Sequence, residues 1–282
     1  MRNLGRAIAI SVLTSFVLAA IFSDWLLLAS GTQDAAGVGT SGFFASGLAA
    51  QLDSQNPLTT PLAEWLWATR QTVALGLVTL ALGLPLGGLI GTLAGTQPRL
   101  FGIALTRAVE LTGALPGLIL VGLWCVGSRT PTLFGFGAML AAIRSVGTAR
   151  LVAEHVRQTL VQDFALAARA LGATPSHVLS WHIWPTLRPL LLLEASATAV
   201  YALGIDAALG FVGLAPTGLS TWGALLDRSA HPGAATTLLA LGCIVAATLA
   251  LNTLGPVARW GKERRRQARS GGFSTLDAAN PR

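Results

Sequence analysis

The stretch Gln162–Thr186, QDFALAARALGATPSHVLSWHIWPT, is the most polar and most punctuated segment in the apolar second half of this chain. Long uncharged runs lie on either side of it. Phe164, Ala168 and Leu171 fall at i, i+4 and i+7, which predicts one apolar face on a short helix. Ala165, Ala167, Ala168 and Ala170 keep that helix thin. Gly172 suits a helix C-terminus. Thr174-Pro175 reads as an N-cap followed by proline at the first helical position, opening a second short helix. Pro185 and Pro189 punctuate the return to apolar sequence. A short, thin helix between two breaks suits insertion into a groove on a partner. The competing reading is an amphipathic connector lying on a bilayer.

The chain around this stretch has 282 residues, 52% hydrophobic and only 11% charged. A soluble domain carries roughly 25% charged residues. A chain with less than half of that cannot cover a surface of its own size, so the class is an all-α membrane protein with one integrated core. The formal charge of +7 does not indicate nucleic acid, because the basic residues cluster at the ends of apolar runs. Cys125 and Cys243 each sit inside an apolar run, where packing is the ordinary role.

About six spans follow from the apolar runs. Residues 1–30 form the first, a retained signal-anchor-like helix after Arg2 and Arg6. Residues 31–69 read as a polar extracytoplasmic loop, with a short amphipathic helix near 62–69. Residues 70–260 are the core. Within it, Gln71–Pro98 spans, with Gly83, Gly87, Gly91 and Gly95 forming a smooth stripe that lets another helix approach closely. Leu111–Ser128 is the third span, kinked at Pro116, with Glu110 paired to Arg107 at its inner end. Thr130–Ile143 is too short alone and spans only if the helix continues past Arg144, which Arg150 and Glu154 at i, i+4 support. Pro189–Ile205 is the fifth span and buries Glu194, at a cost of about 2.5–3.5 kcal/mol at mid-membrane. That carboxylate faces either a structural partner, with Arg144 the candidate, or a transport path. Asp206–Pro232 is broken by Gly, Pro, Ser and Thr and reads as an outer re-entrant or surface segment. Ser229–Ala258 is the sixth span, with Asn252 expected to bond between helices. Residues 261–282 form a basic tail, expected to be disordered.

Charge decides the orientation. On this topology every basic residue except Arg70, Arg129 and Arg228 lies inside. Both termini and the segment 162–186 are therefore expected in the cytoplasm.

Catalytic signatures are absent from the sequence: no GxSxG, HExxH, GxxxxGK[ST] or strand-to-helix GxGxxG occurs. His177 and His182 are five apart and share no helix face, so no metal site is expected. The chain reads as a non-enzyme. If it moves a solute with ATP, another chain must bind the nucleotide. An ion-gradient-driven transporter is the alternative, with Glu194 and Asp206 its only intramembrane acids; an intramembrane hydrolase would need a nucleophile and base that are not recognisable here.

Ala167-Ala168-Arg169-Ala170-Leu171-Gly172-Ala173, followed by His182-Ile183-Trp184-Pro185, resembles the EAA loop of ABC-transporter permease subunits. The variant is similar to that of the C-type permeases of dipeptide, oligopeptide and nickel importers. Arg107, Glu110 and Pro116 resemble that family's R-x-x-D-x-x-x-x-x-P pattern, and Asp206–Gly213 with Trp222-Gly223 its E-A-A-L-S-F-L-G…W-G segment. The likeness runs from about Ala68 to Trp260. It implies a type I importer fold in a bacterial inner membrane, a second permease subunit, two ATPase subunits that bind ATP and Mg, and an extracytoplasmic solute-binding protein. The chain itself would bind no cofactor. Phe164, Ala167, Ala168, Arg169, Leu171, Gly172, His182 and Pro185 would form the coupling helix and its support. Glu110, Pro116, Glu194, Asp206 and Trp222 would belong to the path or gate. The sequence departs from the pattern at Leu166, Thr186 and Gly210, where the family has glutamate, asparagine and serine.

Overall fold

The computed structural model describes residues 2–21, 59–96, 106–107, 110–111, 113, 116–128, 131–174, 177–216, 218–227 and 234–254. The expected loop before residue 59, the tail 261–282, Pro175 and the side chain of His182 lie outside the described residues. Within them every regular element is a helix: α1 Arg2–Ile21, α2 Thr59–Thr96, α3 Gly117–Gly127, α4 Leu133–Leu160, α5 Asp163–Ala170, a π-helical segment Val178–Ile183, α6 Trp184–Val212, α7 Trp222–Asp227 and α8 Ala234–Leu254. Parts of α2, α4 and α6 are long and apolar enough to cross a membrane. Shorter apolar helices at Ala7–Ile21, Gly117–Gly127 and Thr237–Thr253 take the other three expected positions.

The expected glycine stripe makes the central contact of the bundle. A Cβ added at Gly87 would lie 2.6 Å from Thr148 Cβ. At Gly91 it would lie 2.6 Å from the Ala149 carbonyl oxygen, and at Gly95 2.8 Å from Val156 Cβ. Three successive turns of α2 thus touch α4 nearly backbone to backbone, which only glycine permits. Higher up the same interface, Phe136 and Leu140 are buried with Leu75 and Val121, and Trp124 stacks on Phe136 at 6.2 Å. A second core lies between α1, α2, α6, α7 and α8 around Trp222, with Phe16 edge-on to its ring at 5.0 Å.

Several expectations change. The second span does not begin at Gln71. α2 starts at Thr59 and runs unbroken for 38 residues, so the helix expected near 62–69 is its first turns rather than a separate surface piece. The reason is tertiary: Ala68 is fully buried against α8, and Trp65 Nε1 donates to Cys243 Sγ at 3.3 Å. Pro116 stands ahead of α3 rather than inside it. Its extended backbone caps the start of α3, where the missing N–H costs nothing. The fifth helix does not end at Ile205; α6 continues through Asp206 to Val212 and stops at Gly213, whose φ is +77°. Asn252 donates to Thr248 in its own helix rather than to a neighbour. The continuation of the fourth helix past Arg144 is found as expected, to Leu160.

Candidate functional site

The segment after α4 is held by a small apolar core of its own. At about 1.5 Å per residue, the 28 residues of α4 and the 29 of α6 reach ~42 Å and ~44 Å, well beyond a ~30 Å hydrocarbon layer. Val152 and Val156 at the end of α4, Val178 and Ile183 of the π-helical segment, and Leu187 of α6 pack around Ala165. His155 Nε2 meets the Thr186 hydroxyl at 3.2 Å, tying α4 to the start of α6. Thr186, a departure from the family pattern, is thus a structural cross-link.

On this platform sits α5. Asp163 in its first turn and Arg169 in its last both match the helix dipole. The C-terminus is a Schellman closure. Gly172 N–H donates to Arg169 and Ala173 N–H to Ala168, with Gly172 at φ +86°. Thr174 Oγ1 accepts from the His177 N–H at 3.4 Å, the expected capping contact. The second short helix, Val178–Ile183, is wider than an ordinary α-helix. Its π-type bond, Trp184 N–H to the Leu179 carbonyl, lies directly ahead of Pro185, which has no N–H to give.

The inward residue of α5 is Ala165, at 0% exposure. The expected apolar face is therefore split: Ala168 joins the supporting core, while Phe164 and Leu171 point outward. Leu171 is 89% exposed and Trp181 72%. Leu166, Ala167, Arg169, Gly172 and Pro185 are exposed as well. The outcome is a thin helix with alanine inward and a ridge of large apolar side chains outward. An apolar ridge of this kind marks an interaction surface. The outward Trp181, stacked on His177 at 5.9 Å, was not anticipated.

The five residues assigned to a path or gate scatter. Glu110 is exposed, bonded to Arg107 at 3.0 Å, with its carbonyl held by Arg150. It borders a charged cleft with Arg150, Glu154 and Arg157. Pro116 lies at the start of α3. Glu194 is buried, and accepts from Arg144 Nη2 at 2.6 Å and from the Thr148 hydroxyl at 3.2 Å.

Asp206 and Trp222 come together. Asp206 Oδ1 accepts from the Thr221 hydroxyl at 2.7 Å and Oδ2 from the Gly223 N–H at 2.9 Å. Trp222 donates from its backbone N–H to Thr72 and from Nε1 to Thr69. Ser220 N–H donates to Gln71 Oε1 at 2.9 Å. The two helices meet so closely here that a Cβ on Gly210 would strike the Gly223 backbone, and one on Gly223 would strike the Asp206 backbone. Gly210, another departure from the family pattern, is required by that contact. Thr69, Gln71 and Thr72 escaped sequence reasoning, although three polar side chains at the edge of a long apolar run were a visible signal.

This fold and this site define a class: a helical membrane protein that presents a short exposed helix at one end of its bundle. A family model described as binding-protein-dependent transport system inner membrane component matches residues 87–259, more than half of the chain, and the chain belongs to that family. It is 28% identical over 186 residues to the probable D,D-dipeptide transport system permease protein DdpC of Escherichia coli K12, covering 62% of each chain. It is 29% identical to the di/tripeptide transport system permease protein DppC of Pseudomonas aeruginosa UCBPP-PA14, over 58% of this chain and 54% of that one. A dipeptide transport system permease protein DppC of Alkalihalophilus pseudofirmus aligns at 25% identity over 81% of this chain and 74% of its own length. The chain spans about half to three fifths of the length of most of these relatives. Among solved structures, a chain of the inward-facing MetNI methionine ABC transporter aligns with TM-score 0.50 and 21% identity, over 72% of this chain and 97% of that one, a likeness of fold.

Proposed function

We propose that this chain is the permease subunit of an ATP-binding-cassette importer of a bacterial inner membrane, moving peptides or a related small solute. The observation that carries the reading is α5 itself, a short helix closed at Gly172, seated on its own core and presenting Phe164, Leu166 and Leu171 outward. In this reading a groove on an ATPase subunit receives α5. A second permease completes the path, two ATPases bind the ATP and Mg, and an extracytoplasmic protein delivers the solute. The platform transmits the push. Because α5 rests on the ends of both α4 and α6, a displacement of α5 moves two membrane helices together rather than bending a loop. The peptide permeases among the relatives support the solute class. Glu194, Asp206 and Trp222 remain assigned to the path or outer gate, with Asp206 and Trp222 acting by fixing the α6–α7 turn, and Glu110 and Pro116 to its inner side.

The test is uptake in proteoliposomes containing this chain, a second permease, the ATPases and the binding protein. Uptake of labelled peptides that requires internal ATP and survives collapse of ion gradients is the expected result. Uptake that continues without any ATPase subunit would reject the reading in favour of an ion-coupled carrier.

A further inference from the structure

The polar groups between α3, α4 and α6 have more donors than they use. Glu194, Thr198 and Tyr201 stand at i, i+4 and i+7 on α6 and share a face; Arg144 and Thr148 do the same on α4. Glu194 Oε2 already accepts from both Arg144 Nη2 and Thr148. Arg144 Nε, Thr198 Oγ1 and the Tyr201 hydroxyl are buried with no protein partner. Two unanswered hydroxyls on the α6 face of Glu194, and an unanswered Nε on its guanidinium partner, are an unusual concentration, since buried polar groups are nearly always bonded.

Two glycines make room for them. A Cβ at Gly147 would lie 2.6 Å from Arg144 Nη1, and one at Gly117 would lie 2.7 Å from the Tyr201 hydroxyl. Glycine at both positions is what lets these polar ends sit where they do. The Arg144 side chain keeps 18% of its exposure, although its Nε and the two hydroxyls are themselves buried. The cluster's formal charge is zero, the guanidinium being balanced by Glu194. A carboxylate entering it would be uncompensated. An uncharged hydrogen-bond acceptor would meet Nε–H and two hydroxyls without upsetting that balance.

We propose that Arg144, Thr198 and Tyr201 form a solute contact inside the membrane-spanning body, which takes an amide carbonyl of the transported molecule by hydrogen bonding. Glu194 and Thr148 hold the guanidinium in place for it. The proposal rests on the permease reading and gives its path a chemistry: a neutral, donor-rich station selects for carbonyl-bearing solutes and against bare anions.

The experiment uses the assembled transporter in proteoliposomes, with labelled dialanine and its thioamide analogue, in which sulfur is the weaker acceptor. R144K keeps the charge opposite Glu194 and removes Nε–H; Y201F removes only the hydroxyl. Each is expected to raise the KM for dialanine about tenfold, the worth of one hydrogen bond, with membrane level and unfolding temperature unchanged. In each, the KM difference between dialanine and the thioamide should shrink relative to wild type. The binding protein is common to all arms, so its own preference cancels. KM values within twofold of wild type for both variants overturn the proposal. So does an unchanged KM with raised stability in Y201F, the mark of a merely unsatisfied hydroxyl, or with lowered stability, the mark of a structural water alone. Wild-type protein that moves neither compound nor any of a di- and tripeptide mixture with ATP would instead reject the permease reading beneath it.

Discussion

Arg144 and Glu194 join α4 to α6 by a 2.6 Å bond between residues 50 apart in sequence, and both are largely buried. Each charge alone would be costly at this depth, and each makes the other tolerable. Removing one partner strands the other. E194A is therefore expected to lose about 3–5 kcal/mol of stability, while the double variant R144M/E194L falls close to wild type because apolar side chains of similar volume replace the pair. Thermal unfolding in detergent of the two single variants and the double one measures this. Equal loss in the single and double variants would show that the pair matters through shape rather than charge.

The contact of Gly91 with Ala149 and Val152 sets a second expectation. G91V drives a branched side chain into the α4 backbone and should cost about 1–3 kcal/mol or abolish assembly. Gly76, on the same helix with nothing within 4 Å of its would-be Cβ, is the control. G76A should be neutral or stabilise by about 0.5–1 kcal/mol through helix propensity. Membrane yield and unfolding temperature of the pair check both values.

Asp206 holds the turn between α6 and α7 through both of its oxygens. D206A leaves the Gly223 N–H and the Thr221 hydroxyl without an acceptor in a buried place, at about 1–3 kcal/mol. D206N keeps one carbonyl acceptor and should lose less. Limited proteolysis between residues 213 and 222 reports the difference, and equal resistance in both variants would refute the anchoring role.

At Gly172 the backbone demands a positive φ and the outward side is open, with no atom within 4 Å. A glutamate there adds strain of about 1–2 kcal/mol and a charge on the docking ridge. G172E is expected to stay in the membrane and leave the ATPases hydrolysing ATP while uptake falls at least about tenfold, a separation read by parallel phosphate-release and uptake assays. G172N, which tolerates the left-handed backbone without a charge, should retain coupling. Loss of both activities together in G172E would point to misfolding instead.

The outward and inward residues of α5 separate docking from support. F164D/L171D should reduce ATPase co-purification about tenfold with normal membrane yield. A165L, which overfills the seat beneath the helix, should lower the unfolding temperature. The reverse pattern would invert the orientation of α5.

Much of this protein was legible in one dimension. Hydropathy and charge placement yielded the helical membrane class, because a chain so poor in charge has no aqueous fold open to it. The four-residue spacing of Gly83 to Gly95 announced a close helix contact, because the period of a helix puts such residues on one line. Gly172 announced a helix end, because only glycine enters its backbone region freely. The Arg144–Glu194 pairing could be named as a candidate because few charges occur at that depth.

What the chain order could not decide was which side of a helix meets which neighbour. Phe164, Ala168 and Leu171 share a periodic stripe, yet the platform of Val152, Val156, Ile183 and Leu187 selects Ala165 as the seat and turns Phe164 and Leu171 outward. The polar start of α2 looked like a loop until the buried contacts of Ala68 and Trp65 made it helix. Asp206 looked like the start of a broken segment, and its helix survives because Thr221 and Gly223 return from the next turn to satisfy it. Local sequence determines periodicity, charge and where a backbone can bend. Burial and hydrogen-bond satisfaction belong to residues tens of positions apart, so only the tertiary structure decided the seat of α5, the Asp206 clasp and the unanswered donors around Arg144.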